Sequence, residues 1–200
     1  FNRVTGVDTA DDPIRVMRRC DTILLAVKPQ NMAEALKSIK NAARPQHLFI
    51  SVAAGVLTNY IEKNLNPKAR VVRIMPNTPA LVGAGAAGVA PGAHASDEDE
   101  SLAIDIMRSV GVAVRVEEKD LDAVTALSGS GPAYFFYFIE HLIAGAAELG
   151  LDEAIAKKLT LQTVRGAARM LVQRDETPQH LREMVTSPGG TTEAALKVFN

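Results

Sequence analysis

Short apolar runs alternate with helix-like stretches over the first part of this chain, and this alternation limits its fold more than any other feature. The runs TILLAV, LFISVAA and RVVRIM, at residues 22–27, 48–54 and 70–75, are rich in residues that favour strands. They are mostly apolar, which predicts strands buried on both faces of a parallel sheet. The stretches NMAEALKSIKNAA and LTNYIEKNL between them carry apolar residues at helical spacing. Strands that alternate with helices are typical of a parallel sheet with right-handed crossovers, so the pattern predicts an α/β fold.

The strand signal continues to Glu117 and then disappears. NTPALVGAGAAGVAPG indicates a strand with a turn, and SDEDESLAIDIMRSVG indicates a helix that Ser96 caps and whose first turn is acidic. VAVRVEE predicts a last strand, and only helical runs follow it. We therefore predict a sheet domain at residues 1–117 and an all-helical domain at residues 118–200.

Composition and charge exclude several classes of protein. With 22 basic and 23 acidic residues, the chain has no excess of positive charge that would attract nucleic acid or an anionic membrane. The most apolar segment, residues 132–151, contains Glu140 and His141 and so predicts a buried helix rather than a membrane span. The first residues lack the pattern of a secretory signal, and the single Cys20 predicts a buried thiol. We expect a cytoplasmic protein without nucleic-acid or membrane partners.

Unusual residues follow each of the first three predicted strands. They are AVKPQ at residues 26–30, SVAAGV at residues 51–56 and MPNTP at residues 75–79. Each segment alone fits an ordinary loop, but the carboxyl ends of parallel strands meet at one sheet edge, where ligands bind. Small residues let a planar ligand approach the backbone, and Lys28 and Asn77 supply donors. Together the three segments predict a ligand site at this edge.

The segment LSGSGPAYFFYF, at residues 127–138, places Ser130 directly between two glycines. A hydrolase nucleophile elbow needs the spacing G-x-S-x-G after a strand, whereas a helical stretch precedes Ser130. We therefore interpret the segment as a tight break between two helices. The four histidines show no ligand spacing, so we predict no metal site.

The segment MVTSPGGTTEAAL, at residues 184–196, places two glycines and two threonines before a helical run. Thr191 or Thr192 as the helix N-cap would explain one threonine. Adjacent glycines also let backbone N–H groups face a ligand at a helix start, which favours negative charge. The loop therefore predicts a site for a small carboxylate.

These segments together resemble the pyrroline-5-carboxylate reductases, the enzymes that complete proline synthesis. PQHLREMVTSPGGTTEAALKVFN resembles the family signature along its length, and AVKPQ, SVAAG, MPNTP and SGSGPAY occur in the family's order and approximate spacing. The resemblance covers the whole chain. It implies a partial Rossmann-type sheet, followed by an all-helical C-terminal dimerisation domain that forms a homodimer or a larger homo-oligomer. The implied reaction is reduction of 1-pyrroline-5-carboxylate to L-proline with NADPH or NADH.

The resemblance also implies which residues bind the two ligands. The nicotinamide cofactor would lie against residues that follow the strands: Ala26, Val27, Lys28, Pro29, Ala53, Ala54 and Asn77. The substrate would lie in the glycine loop, against Ser187, Gly189, Gly190, Thr191 and Thr192. The loop amides would bind the carboxylate, and the hydroxyl of Thr192, the candidate catalytic residue, would reach the ring nitrogen. Because an iminium substrate brings its own proton, no histidine base is needed.

The chain departs from the family pattern in two ways. Met184 stands where the family more often has asparagine, a change close to the implied cofactor site. The phosphate-binding glycine loop of the first βαβ unit is absent. We therefore expect an internal portion of a longer reductase, which by itself binds NADPH weakly. The residues that distinguish NADPH from NADH would precede Phe1.

Two other interpretations stay open. A β-hydroxyacid dehydrogenase would have a similar layout, but it should carry a lysine on the long helix after the sheet, and PAYFFYFIEHLIAG has none. A non-catalytic interaction module would keep the dinucleotide fold without the chemistry. The same long helix is apolar around most of its circumference, which predicts a homo-oligomer.

Overall fold

The computed structural model describes the backbone of residues 2–199 and the side chains of residues 4–199. The chain divides after Tyr134 into two compact units. The strands, all in the first unit, are β1 (Thr22–Leu25), β2 (Leu48–Ser51), β3 (Arg70–Met75), β4 (Gly85–Pro91) and β5 (Gly111–Arg115). The α-helices are α1 (Asn2–Thr5), α2 (Pro13–Met17), α3 (Met32–Ile39), α4 (Thr58–Leu65), α5 (Asp97–Arg108), α6 (Leu121–Val124), α7 (Gly131–Glu148), α8 (Glu153–Gln173), α9 (Pro178–Met184) and α10 (Thr191–Phe199).

The strands form one sheet in the order β1-β2-β3-β4-β5. The first three are parallel neighbours, as predicted, and β4 and β5 are parallel to each other. However, β4 pairs antiparallel with β3, with Ile74 opposite Val89. Only residues 76–84 join β3 to β4, which is too short for a crossover, so the chain has to turn back.

Helices cover both faces of the sheet. On one face, α2, α3 and α4 enclose a core that includes Leu36, Phe49 and Ile61. On the other face, α5 packs on β3, β4 and β5 around residues such as Val72 and Val89. Full burial of side chains of this size contributes about 1.5–3 kcal/mol each. The sheet therefore presents its strand ends from a rigid, two-sided core.

Strand β1 is covered on only one face, which corrects the prediction of a strand buried on both. Ile23 and Leu25 lie in the core with α3, whereas Leu24 on the opposite face is 56% exposed. The reason is that α5, the helix on that face, packs chiefly over β3, β4 and β5. Strand β2 is buried at every position, as predicted.

Helix α5 begins as predicted, with Ser96 as its cap. The Oγ of Ser96 accepts from the backbone N–H of Asp99 at 3.2 Å, and the Asp99 carboxylate accepts from the N–H of Ser96 at 3.0 Å. Arg70 pairs with Asp99 and Arg115 pairs with Glu100, each at 3.0 Å. Two strands therefore supply cations to the acidic first turn, which holds the helix against the sheet.

Cys20 is exposed, contrary to the prediction of a buried thiol. It follows the end of α2, and its backbone N–H donates to the carbonyl of Val16 at 3.0 Å. The short helix buries Met17, and Cys20 lies in the turn beyond that contact.

The second unit contains most of α7 together with α8, α9 and α10. The rings of Phe135, Phe136 and Tyr137 on α7 are 63–65% exposed, so the expectation of a buried helix is wrong for this part of it. The described part of the chain does not cover these rings. Within that part, no helix is both long enough and apolar enough to cross a membrane.

Candidate active site

The carboxyl ends of β1 and β2 lie side by side. Leu25 is the register partner of Ser51, and the N–H of Val52 donates to the Leu25 carbonyl at 3.3 Å. The segments at residues 26–30 and 52–56 therefore leave the sheet at neighbouring positions, as expected for parallel strands.

The predicted cofactor residues in these two segments differ in exposure. Four of them are open to a ligand: Ala26, Lys28, Pro29 and Ala54. Val27 is half-buried against the core, and Ala53 is only 3% exposed within it. Any contact from Ala53 to a cofactor would therefore come from its backbone.

A groove of about 500 Å³ opens beside these segments. Pro29 and Gln30 line one side, and Gly55, Val56 and Tyr60 line the other. Gly55 has a φ of +74°, and a Cβ added there would meet no atom within 4 Å. The groove is within the usual size range of small-molecule sites, and its glycine leaves the backbone accessible.

Asn77, in the segment after β3, makes two hydrogen bonds to distant backbone groups. Its Oδ1 accepts from the N–H of Ala86 at 2.9 Å, and its Nδ2 donates to the carbonyl of Ser128 at 3.0 Å. The side chain thus links the end of β3 to β4 and to the turn before α7. Sequence reasoning assigned Asn77 to the cofactor and did not foresee this linking role.

The segment around Ser130 is a break between two helices, as predicted. Helix α6 is followed by a π-helical turn at Thr125–Gly129, and α7 begins at Gly131. The N–H of Ser130 donates to the carbonyl of Thr125 at 2.8 Å. A Cβ on Gly129 would lie 2.6 Å from the Cε of Met75, so glycine lets the turn approach β3 closely.

Glu118 joins Thr58 and the buried Arg73 in a polar network that the sequence did not lead us to predict. Its two carboxylate oxygens accept from the N–H and the Oγ1 of Thr58, at 2.7 and 2.8 Å. Its Oε1 also lies 3.5 Å from the Nη1 of Arg73, whose side chain is 2% exposed. The sequence feature that could have indicated this network is Arg73 inside the apolar run RVVRIM, because a buried guanidinium needs an acidic partner. The carboxylate fixes the start of α4 beside the segment after β2.

The residues on either side of Glu118 form an exposed ion pair. A hydrogen bond from Lys119, reinforced by its positive charge, holds the pKa of Glu117 below its usual value. The same contact raises the pKa of Lys119. The two side chains are 71% and 74% exposed, so the pair lies at the surface and outside the buried network around Arg73.

The glycine loop, Ser187–Gly190, lies in the second unit, directly before α10. Gly189 has a φ of +72°, and the N–H of Gly190 donates to the carbonyl of Ser187 at 3.0 Å. The N–H of Gly189 donates to the Oε2 of Glu193 at 2.9 Å. The loop is therefore a tight turn, and the carboxylate of Glu193 on the following helix accepts a hydrogen bond from one of its N–H groups.

The helix begins one position earlier than a threonine N-cap requires. Thr191 is the first residue of α10, and the N–H of Ala194 donates to the carbonyl of Gly190 at 3.2 Å. Gly190 is thus the N-cap, so the alternative in which Thr191 or Thr192 occupies that position is wrong. Both threonines lie in the first turn, where backbone N–H groups lack intrahelical acceptors. Thr191 is exposed and Thr192 is half-buried.

Met184 is the last residue of α9 and is 57% exposed. It precedes the glycine loop in the same unit. Among the described residues, no group of three or more histidine, cysteine, aspartate or glutamate side chains is placed to hold a metal ion.

Two family models match the chain. The model described as pyrroline-5-carboxylate reductase dimerisation matches residues 118–200, and the one described as NADP oxidoreductase coenzyme F420-dependent matches residues 3–55. The first match includes the glycine loop, and the second includes the segment after β1 and residues 52–55 after β2.

Several individual relatives and solved structures that resemble the chain are also pyrroline-5-carboxylate reductases. A pyrroline-5-carboxylate reductase of Methanosarcina acetivorans is 45% identical over 187 residues, which is 94% of this chain and 69% of the relative. The structure of a pyrroline-5-carboxylate reductase from Coxiella burnetii has 42% identity and a TM-score of 0.89, covering 99% of this chain and 74% of that one. The NADP-bound pyrroline carboxylate reductase of Plasmodium falciparum has 34% identity and a TM-score of 0.90, covering 97% and 74%.

The mostly parallel sheet, the matched NADP oxidoreductase region and the helical dimerisation region define the class of the protein, a dinucleotide-dependent oxidoreductase. Within that class, the chain belongs to the pyrroline-5-carboxylate reductase family. It spans 60–71% of the length of four curated relatives.

Proposed function

We propose that the protein reduces 1-pyrroline-5-carboxylate to L-proline by hydride transfer from NADPH or NADH. The observation that carries this proposal is the 45% identity to a reductase of that name across 187 residues. Family membership also removes the support for a β-hydroxyacid dehydrogenase. The non-catalytic interaction module is the alternative that an activity measurement tests.

The residues after the strands fit a nicotinamide cofactor, because the exposed Lys28 and Ala54 adjoin Pro29 and Gly55, which line an open groove. The residues that would hold it are Ala26, Val27, Lys28, Pro29, Ala53, Ala54 and Asn77. When bound, the reduced nicotinamide supplies the hydride. Asn77 would act partly by positioning the turn at Thr125–Gly129, because its oxygen and one of its N–H groups already bind backbone.

The glycine loop fits a small cyclic carboxylate. Ser187 and the amides of Gly189 and Thr191 would bind the carboxylate, since a helix start favours negative charge. Gly190, whose N–H donates to the Ser187 carbonyl, would hold the turn in the shape that this binding needs. The hydroxyl of Thr192 would form a hydrogen bond with the ring nitrogen. As the imine carbon accepts the hydride, the π electrons of the C=N bond move to nitrogen, which keeps the proton of the iminium form. The protein's part is to orient the ring and carboxylate.

We also propose the functional boundary at residues 117 and 118, and a homodimer as the minimal assembly. Both are supported by the match of residues 118–200 to a dimerisation domain. A cytoplasmic location stays a prediction from the sequence.

The test is turnover by purified full-length protein. We expect oxidation of NADPH that depends on pyrroline-5-carboxylate, with one L-proline formed for each NADPH consumed. Chromatography of the product distinguishes this reaction from slow, uncoupled oxidation of NADPH. Protein that binds NADPH but forms no proline would contradict the proposal and favour the non-catalytic module.

A further inference from the structure

Glu193 accepts a hydrogen bond from a backbone N–H that belongs to the proposed substrate site. Its Oε2 accepts from the N–H of Gly189 at 2.9 Å, and this amide is one of those proposed to bind the substrate carboxylate. The same oxygen lies 3.6 Å from the Nζ of Lys197, one turn further along α10. A carboxylate of the protein therefore already lies where a carboxylate ligand would bind.

We propose that Glu193 is a built-in competitor of the substrate carboxylate, so that binding exchanges one carboxylate for another. This inference rests on the proposed function. A single backbone N–H donates one good hydrogen bond, so Glu193 has to release Gly189 when the substrate arrives. Two carboxylates at one helix start also repel each other.

The surroundings allow this exchange. Glu193 is 40% exposed and can swing away from the loop, and Lys197 remains within reach as an alternative partner. A Cβ added to Gly189 would meet nothing within 4 Å, so no side chain or backbone crowds the Cβ side of this glycine. Glu193 is therefore a specificity-determining residue that weakens binding of the substrate's carboxylate without touching the reacting C=N bond.

A purely structural role for Glu193 predicts the opposite sign. If its main effect is to cap the helix and shape the loop, its removal should disorder Gly189 and weaken substrate binding. If it competes, its removal should free the amide and strengthen binding. The direction of the change in KM therefore separates the two roles.

The experiment compares E193Q and E193A with wild-type full-length protein. We expect the KM for pyrroline-5-carboxylate to fall about two- to fivefold in E193A, with kcat unchanged. In E193Q the fall should be smaller, because the amide oxygen of glutamine can still accept from Gly189 although its charge is gone. The KM for 1-pyrroline, which lacks the carboxylate, should not fall. E183Q is the matched control, because Glu183 lies on α9 and accepts from Gln179 at 2.8 Å, outside the loop. Its kinetic constants should equal those of wild type.

Calorimetric binding of L-proline gives a readout that does not depend on turnover, and it should be tighter in E193A by the same factor. An unchanged or raised KM for pyrroline-5-carboxylate in E193A, or unchanged proline binding, would overturn the inference. Wild-type protein that forms no proline contradicts the proposed function instead, and proline binding then still decides whether Glu193 competes.

Discussion

At the scale of single residues, the chain places its polar groups where backbone donors would otherwise lack acceptors. Thr192 and Glu193 lie in the first turn of α10, where Glu193 binds the amide of Gly189. Glu118 does the same at the start of α4, because its carboxylate accepts from the N–H of Thr58. In both cases an acid accepts from a backbone N–H at a helix start, and in the second it also neutralises the buried Arg73.

Thr192→Val removes the hydroxyl proposed to contact the ring nitrogen and keeps the branched shape. We expect a loss of about 0.5–1.5 kcal/mol in transition-state binding, or roughly two- to tenfold in kcat/KM, as for one hydrogen bond. Steady-state kinetics with pyrroline-5-carboxylate measures the change. The control is Thr191→Val, whose hydroxyl has no assigned role and should matter less. Equal kcat/KM for Thr192→Val and wild type would refute the role.

Glu118→Ala removes the carboxylate paired with the buried guanidinium of Arg73 and the acceptor for Thr58. We expect a loss of about 1–3 kcal/mol in the free energy of unfolding, below the value for a fully buried pair because Glu118 is 26% exposed. Urea denaturation measures it. The adjacent Glu117→Ala is the control and should leave stability unchanged, since that side chain lies at the surface. Similar results for both variants would mean that Arg73 does not depend on Glu118.

At the scale of elements, helices α5 and α4 find acceptors for the backbone N–H groups of their first turns in two different ways. Helix α5 uses a local capping box, in which Ser96 and Asp99 exchange hydrogen bonds. Helix α4 depends instead on Glu118, which lies far away in sequence. A local cap is visible in the sequence as a serine three residues before an acid, whereas a distant one becomes visible only in the folded chain.

Ser96→Ala tests the local cap and its pH dependence. The Ser96 hydroxyl, followed by the backbone N–H of Glu98, holds the pKa of Glu98 below its ordinary value of 4.5. A lowered pKa in the folded state gives stability that is present above pH 4.5 and is lost as the pH falls through the folded value. We expect Ser96→Ala to cost about 1 kcal/mol near neutral pH and less in acid.

Urea denaturation at neutral and acidic pH measures both parts of this prediction. The control is Ser101→Ala on the exposed face of the same helix, whose effect should be small and independent of pH. If Ser96→Ala costs the same at every pH, Ser96 does not act on Glu98.

At the scale of the whole molecule, the main open feature is the aromatic surface of α7. Phe135, Phe136 and Tyr137 are more than half exposed, and the surrounding residues match a dimerisation domain. Consecutive residues of an α-helix point about 100° apart, so these rings spread over most of the circumference of α7 and leave much apolar area in water. The surface is therefore where we place the contact between subunits.

Phe136→Asp puts a charge into this surface and should shift the protein from a homodimer or larger assembly towards a monomer, because an unpaired charge is costly at a buried contact. Light scattering at micromolar concentration measures the mass. Leu81→Asp is the control, because Leu81 is 90% exposed in the first unit and its replacement should leave the mass unchanged. A wild-type monomer, or an unchanged assembly in Phe136→Asp, would contradict the placement.

The sequence by itself determined the features that local chemistry controls. The strand–helix alternation, the Ser96 cap, the helix break at Ser130 and the position of the glycine loop are all present in the structure. Each depends on hydrophobic periodicity, on a capping side chain or on glycine, which act within a few residues. The family resemblance was likewise carried by short segments, and the matched relatives confirm it.

Only the tertiary structure decided the rest, because it depends on groups that are far apart in the chain. The antiparallel β4, the open face of β1 and the exposed Cys20 follow from how elements pack. The links from Asn77 to Ser128 and from Glu118 to Thr58 join segments more than fifty residues apart, and no local pattern encodes such pairs. Folding brings them together because buried polar groups need partners, and the partner is whichever group the packed core places within reach.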